Sequence, residues 1–524
     1  RSCQRSRREQ GRGSMIEFIA SLVPASLAAH APALLVVVPM LFAPIAAFMP
    51  NGRIAWLLSI IATGIALIMS ISLIDQVRSI EGGAVLSYAM GGWAPDAGIE
   101  FRIDALNSMV LLLVSTIGFL AAIFSWPTVK AEIRDAKRAM FFAAYLVCFT
   151  GLTGVASTGD AFNLFVFLEI SSIATYVLVA LGATRDRRAL PAAGNYLLMG
   201  TIGASFFVVG VGFLFAATGT LNMAELAVRL QDVQDNKAVL AGYAFIVVGL
   251  GIKAAMFPLH QWLPNAYAYS PSFVTMFLAA TATKVAIYAL VRFLFTVFGL
   301  EFAFEGSTLI WILMPMGIAA MIACSFQAVF QTDVRRTLAY SSVAQVGYML
   351  LGISIGTAAG VSAGLFHLVN HALIKGALFM ALAGVVLTYQ GTSLNDLKGL
   401  GRTSPWTMTA FAIGAVSLIG VPLTAGFQSK YALVNALFEH GWWWAVAVVM
   451  FSSLLAVVYM GRMLEAVFFR APSNPNKRRQ EAPFVILIPL WILALANLWV
   501  GIQGGFVAGL ADDAAAALFI GGGS

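Results

Sequence analysis

Long apolar runs alternate with short polar turns along nearly the whole 524-residue chain. Each run holds about 20 residues, which at 1.5 Å per residue is enough to cross roughly 30 Å of hydrocarbon as an α-helix. A hydropathy window identifies about fourteen such runs. The pattern therefore predicts an all-α polytopic membrane protein of about fourteen transmembrane helices, with its polar segments confined to the connections.

Two of these apolar runs combine a helix breaker with a lysine. In the seventh run, GIKAAMFPLHQWLP, Lys253 precedes Pro258, and in the twelfth, SLIGVPLTAGFQSK, Lys430 follows Pro422. Proline lacks an amide hydrogen and clashes with the carbonyl one turn back, so each helix is expected to kink or open there. Because hydrocarbon tolerates an unpaired carbonyl only beside protein or a water-filled cavity, both breaks predict an internal polar site.

The two broken helices occupy equivalent places in two stretches of similar length. Helices four to eight and helices nine to thirteen each contain five helices, and the break falls in the fourth helix of both. We infer an internal duplication with inverted halves, because an odd number of crossings separates them. The predicted segments are a non-native or disordered extension at 1–14, helices one to three at 15–138, the first repeat at 139–297, the second repeat at 298–470, and a linker, last helix and tail at 471–524.

Composition and charge agree with this interpretation, since 60% of the residues are hydrophobic and only 10% are charged. A net charge of +7 could suggest a nucleic-acid partner, but the basic residues fall in alternate loops, for example at 130–138 and 185–188. The intervening loops contain only Arg78, Arg102, Arg229 and Lys237, with Arg292 near a helix end. The positive-inside rule then predicts a multi-pass protein of the bacterial inner membrane with both termini outside, and no nucleic-acid partner.

The sequence offers no support for cofactor or enzyme chemistry. Cys3, Cys148 and Cys324 lie far apart and share no C-x-x-C spacing, so neither an iron–sulfur cluster nor a disulfide framework is predicted. No phosphate-binding loop, dinucleotide fingerprint or Ser-His-Asp pattern stands out. The expected protein is a transporter subunit without a cofactor.

Four ionisable residues stand inside apolar sequence: Glu169, Lys253, Lys284 and Lys430. Each costs about 2.5 to 3.5 kcal/mol to insert into the membrane. A single lysine near a helix end could snorkel or form a structural ion pair, but a carboxylate and three lysines on four helices favour a functional buried network. Burial favours a neutral amine and a nearby carboxylate favours the ammonium form, so a Glu169–Lys253 contact could load or release a proton.

The eleventh helix places His367, His371 and Lys375 at intervals of four, on one helix face. The histidines could be core residues, metal ligands or proton carriers. A metal site is the weakest option, because H-x-x-x-H lacks the glutamate of zinc proteases and no third ligand lies nearby. Imidazole titrates near physiological pH, so proton transfer is the favoured interpretation.

Other polar residues near the helix ends have plainer interpretations. His260, beside the break in the seventh helix, stays open between a structural and a functional role. Asp160 is expected to cap the fifth helix. The segment with Asp333, Arg335 and Arg336 is interpreted as an ordinary inside turn.

Four segments carry a resemblance to a known family: TGDAFNLFVFLE, KAAMFPLHQWLPNAYAYSP, ATKVAIYALVRF and FHLVNHALIKGALF. They resemble the proton-translocating antiporter subunits shared by Mrp-type cation/proton antiporters and respiratory complex I, and the similarity runs from helix three to helix thirteen. Within that family, the residues before Glu169 and the presence of Lys430 in the second broken helix are most similar to the D subunits of Mrp antiporters. One complex I subunit typically has glutamate in place of Lys430.

The resemblance implies a mid-membrane proton path through Glu169, Lys253, Lys284, His371 and Lys430. The first two would form a controlling ion pair, the next two would carry the proton, and the last would lie at the far end. No cofactor or metal is implied.

Helical facing adds His367 and Lys375 to that path. The implied function is proton movement in a hetero-oligomeric complex that exchanges protons for sodium or another monovalent cation. The alternative is an antiporter-like, non-redox, proton-pumping subunit of a complex I-type NADH:quinone oxidoreductase or a membrane-bound hydrogenase. Either way the expected partners are other membrane subunits, protons, monovalent cations and the lipid bilayer.

Overall fold

The computed structural model describes residues 16–80, 85–95, 98–305, 309–472 and 480–520. The extension expected at 1–14, together with Cys3 and the linker residues Lys477, Arg478 and Arg479, lies outside the described residues. Fourteen helical crossings can be traced through the described ranges, and two of them are broken. The predicted all-α polytopic fold and its helix count are confirmed.

The crossings are numbered α1 to α14 in chain order, and a and b mark the parts of a divided helix. Their bounds, with those of two β-strands and a C-terminal helix α15, are α1 (Ala31–Ala47), α2 (Gly52–Ser79), β1 (Leu86–Ala89), β2 (Glu100–Ile103), α3 (Ala105–Glu132), α4 (Arg138–Ser157), α5 (Ala161–Ala180), α6 (Ala189–Thr218), α7a (Lys237–Lys253), α7b (Trp262–Tyr269), α8a (Ser272–Ala280), α8b (Ala282–Val291), α9 (Leu309–Ala319), α10 (Val334–Ser354), α11 (Ala358–Tyr389), α12a (Pro405–Ile419), α12b (Ala425–Glu439), α13 (Trp443–Phe469), α14 (Phe484–Gln503) and α15 (Gly505–Ile520). Helix α8b continues as a π-helix over Arg292–Val297, and α9 continues through a π-helical stretch, Ala320–Cys324, into the α-helix Ser325–Phe330.

Ten of the described helices are long and apolar enough to cross a membrane, and α8 is one of them despite its division into α8a and α8b. The other four crossings, α1, α7, α10 and α12, are short, broken or more polar. The polar loop between α2 and α3 does not span and contains an antiparallel hairpin in which Leu86 pairs with Ile103. The residues after Gly504 form α15. It has 16 residues, fewer than the 20 of the shortest of those ten helices.

The two repeats share local features that support a common origin. The Asp160 carboxylate accepts the amide of Asn163 in the first turn of α5, and Asp333 caps α10 in the same way by accepting the amide of Arg336. Each cap also makes a backbone bridge to the segment that follows the next helix, Asp160 with Asn222 and Asp333 with Ser393. Asp160 therefore has its predicted capping role, and Asp333 occupies the equivalent place in the second repeat.

Helix α7a, which carries Lys253 at its end, packs very closely on α6. A Cβ atom added to Gly210 of α6 would lie 2.8 Å from the Gly242 carbonyl oxygen, and one added to Gly249 would lie 2.6 Å from that of Gly203. Small residues of this kind allow membrane helices to approach backbone to backbone. The glycines thus set the position from which Lys253 projects.

The interpretation of Asp333, Arg335 and Arg336 as an ordinary turn is wrong for Arg335, which lies in the first turn of α10 and is only 4% exposed. Its guanidinium donates to the carbonyls of Ala268 and Ser270, at 3.3 and 3.1 Å, where α7b ends. On the other side of this corner the Glu132 carboxylate accepts the Ser272 amide, at 2.8 Å, where α8a begins. A cation at a helix C-terminus and an anion at an N-terminus both complement the helix dipole, so the charges hold the corner between α7b and α8a.

Candidate functional site

Lys253 and Glu169 form an ion pair between the end of α7a and the middle of α5. Lys253 Nζ lies 3.1 Å from Glu169 Oε1 and donates to Ser172 Oγ at 2.5 Å. Ser172 follows Glu169 by three residues, so both partners lie on one face of α5. The side chains are 8% and 22% exposed for lysine and glutamate respectively. The structure therefore brings together the carboxylate and the first lysine that the sequence singled out.

The chain is non-helical between Lys253 and Trp262, and Pro258 lies within this interruption. Ala255 adopts a left-handed conformation with φ of 55°, which costs energy for a residue with a Cβ. Trp262 Nε1 donates to the carbonyl of Ile252 at 3.0 Å and so pairs a group near the open end of α7a. Nearby, His260 Nε2 lies 3.7 Å from Cys324 Sγ in the π-helical stretch of α9.

Lys284 lies on α8b directly after a second, unpredicted helix distortion. The backbone at Thr281 leaves the helical region, with φ of −124° and ψ of −56°, and divides α8a from α8b. The Lys284 ammonium group donates to the Ala279 carbonyl and, at 3.3 Å, to Thr283 Oγ1. The lysine is fully buried, so its side chain is held within the protein rather than extended towards a membrane surface.

His367 is held by hydrogen bonds at both ring nitrogens. Nδ1 lies 2.9 Å from Ser429 Oγ on α12b, and Nε2 lies 3.0 Å from Gln345 Oε1 on α10. The ring of His371 is nearly parallel to that of His367, with centroids 6.3 Å apart. Neither ring nitrogen of His371 has a hydrogen-bond partner among the described residues, although the side chain is fully buried.

Lys375 and Lys430 complete the row on the second repeat. Lys375 Nζ donates to the Leu338 carbonyl at 2.8 Å and to Ser341 Oγ at 2.5 Å, both on α10. Lys430 lies on α12b and contacts the opened end of α12a.

Helix α12 is interrupted between Ile419 and Ala425, and Pro422 lies in the gap. Lys430 Nζ donates to the carbonyls of Leu418 and Ile419, at 3.0 and 2.9 Å, which belong to the last turn of α12a. The amine thus satisfies backbone groups that the break leaves without helical partners. A lysine two turns after the break therefore lies close to the residues just before it.

These groups line neighbouring helices, because α7a packs on α8b, α8a on α11, and α11 on both α10 and α12b. We call them the polar axis: Glu169, Lys253, Lys284, His371, Lys375, His367 and Lys430. Aromatic contacts bridge its far end, since Lys430 Nζ lies 5.0 Å from the ring centroid of Tyr348, which is itself 5.5 Å from that of His367.

The polar axis is short of negative charge. Glu169 makes an ion pair with Lys253, whereas Lys284, Lys375 and Lys430 have no carboxylate within ion-pair distance among the described residues. Burying several unpaired cations together costs several kcal/mol each, so simultaneous protonation of all three amines is unfavourable. Neighbouring bases that hold fewer protons than there are bases are suited to proton transfer, because each proton has an empty base to move to.

Several residues of the site were not identified from the sequence. Four side chains make hydrogen bonds to members of the polar axis: Ser172, Ser341, Gln345 and Ser429. The only sequence signal for Gln345 is an amide in an apolar helix, and serines in membrane helices are too common to be a guide. No group of three or more His, Cys, Asp or Glu side chains able to hold a metal occurs in the described part of the chain.

Residues 158–456 match the family described as NADH:quinone oxidoreductase/Mrp antiporter, transmembrane region. The chain is 38% identical to NADH-quinone oxidoreductase subunit N of Desulforudis audaxviator, over 91% of this chain and 96% of that protein. It is 30% identical to the D subunit of the Na⁺/H⁺ antiporter of Bacillus subtilis, over 92% of this chain and 96% of the relative. It therefore belongs to this family of multi-pass membrane proteins.

Two solved structures agree with that assignment. A chain of the membrane-bound sulfane sulfur reductase, an archaeal respiratory membrane complex, superposes with a TM-score of 0.84 at 33% identity, covering 93% of this chain and 97% of that one. A chain of the Mrp complex from a Dietzia species superposes with a TM-score of 0.85 at 26% identity, covering 94% and 98% respectively. The predicted resemblance to antiporter-like subunits is confirmed.

Proposed function

We propose that this chain is the proton-translocating membrane subunit of a multisubunit antiporter that exchanges protons for sodium or another monovalent cation. The polar axis is the single observation that carries the proposal, because it joins titratable groups of both repeats through two broken helices and one distorted helix. Its groups are bases and one carboxylate, which suits proton transfer. Antiporter D subunits occur among the relatives.

The Glu169–Lys253 pair acts as the control point in this proposal. While the pair is intact, the carboxylate stabilises the protonated amine; when the contact opens, the amine can give its proton to the next base. The proton then moves by way of Lys284, Lys375, His371 and His367 towards Lys430. Each transfer leaves the donor able to accept again, so net movement needs only a difference in proton potential.

The open side of the ion pair supports the presence of a partner subunit. Glu169 is 22% exposed and lies on the same face of α5 as Val166 and Ile173, which are 36% and 56% exposed. A charge that faces hydrocarbon is costly, so a second membrane subunit is expected to cover this face. We propose that the complex lies in the bacterial inner membrane with both termini outside, because the basic loops between α3 and α4 and between α5 and α6 then face inward.

A second candidate function is that of an antiporter-like, non-redox subunit in a complex I-type oxidoreductase or related respiratory complex. It is favoured by the 38% identity to an NADH-quinone oxidoreductase subunit N and by the similarity to the sulfane sulfur reductase. Purification of the intact complex separates the two. Small membrane subunits without redox proteins support the antiporter, whereas flavin or iron–sulfur subunits support the respiratory complex.

The transport claim is tested on the purified complex in proteoliposomes that contain a pH-sensitive dye. A sodium pulse is expected to move protons in the opposite direction, and a potassium or lithium pulse shows which cations are accepted. No proton movement with any monovalent cation, in a complex that lacks redox subunits, would contradict the proposal.

A further inference from the structure

A second row of polar side chains begins at Lys284 and follows α8 towards the membrane face on which the β-hairpin lies. Lys284, Tyr288, Arg292 and Thr296 follow one another at intervals of four, and so lie along one side of the helix. Arg292 Nε donates to Tyr288 Oη at 3.4 Å, and Arg292 Nη1 to Thr296 Oγ1 at 3.3 Å. The polar axis runs across the membrane protein, whereas this row runs from its middle to one surface.

The row ends in a buried ion pair. Arg292 donates to both carboxylate oxygens of Asp104, at 2.6 and 2.8 Å, and the two side chains are 8% and 12% exposed. Asp104 also caps α3 by accepting the amides of Leu106 and Asn107, at 3.0 and 3.1 Å. The carboxylate therefore has a fixed position at the end of the row, beside the only guanidinium that the row contains.

Another buried carboxylate lies on the same face of the membrane. Glu100, on strand β2, is 2% exposed, and it accepts from Ser87 Oγ at 2.5 Å and from Asn222 Nδ2 at 2.8 Å. Strand β2 leads directly into Asp104, so the hairpin covers the end of the row with polar groups. Two buried carboxylates, Glu100 and Asp104, therefore lie in strand β2 or directly after it.

The two ends of α8 are fastened to α3 in different ways. At the start of α8a, Glu132 accepts the backbone amide of Ser272, which is an ordinary helix-capping contact. At the other end, Asp104 contacts only the side chain of Arg292. The backbone of α8 does not need the Asp104–Arg292 pair, and this leaves the pair available for another role.

Resting on the function proposed above, we propose that Asp104 and Arg292 form an outer gate through which protons from Lys284 leave on the hairpin side. The Nζ–H bond of Lys284 breaks and an O–H bond forms on Asp104, through the Tyr288 hydroxyl and water. A lysine ammonium and a carboxylate thus become a neutral amine and a carboxyl group. Loss of that proton to water restores the Asp104 carboxylate, and the polar axis reloads Lys284.

Arg292 supplies the blocking step. While Asp104 is ionised, both of its carboxylate oxygens hold the permanently charged guanidinium of Arg292 in a fixed position at the end of the row. A proton on Asp104 weakens the pair and leaves the cation free to move aside. The gate therefore opens only while Asp104 is protonated, and it closes again when the carboxylate re-forms.

The test uses the intact complex in proteoliposomes, with the pH varied on one side of the membrane at a time. Asp104→Asn is expected to slow exchange about tenfold, equivalent to about 1.4 kcal/mol on a barrier, and to remove the response to pH on the hairpin side alone. The response to pH on the Glu132 side is expected to persist. Glu225→Gln is the matched control, because Glu225 loses the same charge on the hairpin side but pairs at the surface with Arg229.

An Asp104→Asn complex that responds normally to pH on both sides, or that loses both responses equally, would overturn the gate. If this variant does not assemble, Asp104→Glu decides, since it keeps the carboxylate and is expected to shift only the hairpin-side pH profile; an unshifted profile counts against the gate. The Lys253→Ala complex separates the two proposals. Full exchange in that complex refutes the proposed function, whereas lost exchange there with normal Asp104→Asn behaviour refutes the gate alone.

Discussion

The lysines of the polar axis differ in the groups that their amines bind. Lys253 is paired with Glu169, a carboxylate that is itself partly exposed. Lys430 instead holds two backbone carbonyls at the opened end of α12a. Removal of the first amine leaves a carboxylate that can take up a proton and become neutral, whereas removal of the second leaves buried carbonyls without donors. Lys253 is therefore expected to matter mainly for transport, whereas Lys430 is expected to matter for both transport and stability.

Lys430→Met is expected to lower both cation/proton exchange and the melting temperature of the purified complex. The unpaired carbonyls of Leu418 and Ile419 cost about 1 to 3 kcal/mol each. Lys253→Met is the matched comparison, and it is expected to lower exchange with a much smaller change in melting temperature. Equal thermal shifts for the two variants would contradict this division of roles.

Individual residues of the site could be predicted where the residue type is costly in a membrane. Glu169, Lys253 and Lys284 stand out because a charge in an apolar helix demands a reason. Ser172 and Gln345 could not be found in the same way, because hydroxyl and amide groups are common in such helices and only the folded structure shows what they contact. The burial of Arg335 could not be predicted either, because its position near a turn conceals it.

At the scale of helices, proline marks the breaks and glycine marks the close contacts. The interruptions around Pro258 and Pro422 were predictable, because a proline removes a helical hydrogen bond. The distortion at Thr281 was not, since neither proline nor glycine marks it in LAATATK. The contact of α6 with α7a depends on the pairs Gly210–Gly242 and Gly203–Gly249, which are 32 and 46 residues apart in the chain, so the sequence pattern alone could not pair them.

Gly210→Val is expected to separate α6 from α7a and to disturb the position of Lys253. The added Cβ would meet Ile246 Cγ1 at 2.7 Å and the Gly242 carbonyl oxygen at 2.8 Å, which are distances that require the helices to move. Gly212→Val is the control, two residues along the same helix, where no atom lies within 4 Å of an added Cβ. The measurements are assembly yield and exchange rate; equal behaviour of the two variants would show that the close contact is unimportant.

At the scale of the whole molecule, the site lies between two repeats but extends to the edge of one of them. The ion pair is near the exposed face of α5, whereas the histidines and the last lysines are enclosed by the second repeat. The chain thus leaves one end of its polar axis incompletely covered. This arrangement is consistent with a family whose solved members come from multisubunit membrane complexes.

Cysteines introduced at Val166 and Ile173 are expected to form crosslinks to another membrane subunit in the intact complex. The reason is that a partner must shield the partly exposed Glu169 from hydrocarbon. The measurement is mass spectrometry of products formed with a short thiol crosslinker in native membranes. Reaction with lipid-soluble reagents only, with no crosslinked subunit, would count against a partner at this face.

The most direct test of the account is the exchange rate of an assembled Lys253→Ala complex in proteoliposomes. A loss of at least about a hundredfold is expected, which corresponds to about 2.7 kcal/mol at the first transfer step. Lys237→Ala, which removes an exposed lysine from the start of the same helix, is expected to keep the unmodified rate. Unchanged exchange in a fully assembled Lys253→Ala complex would contradict the claim that the polar axis moves protons.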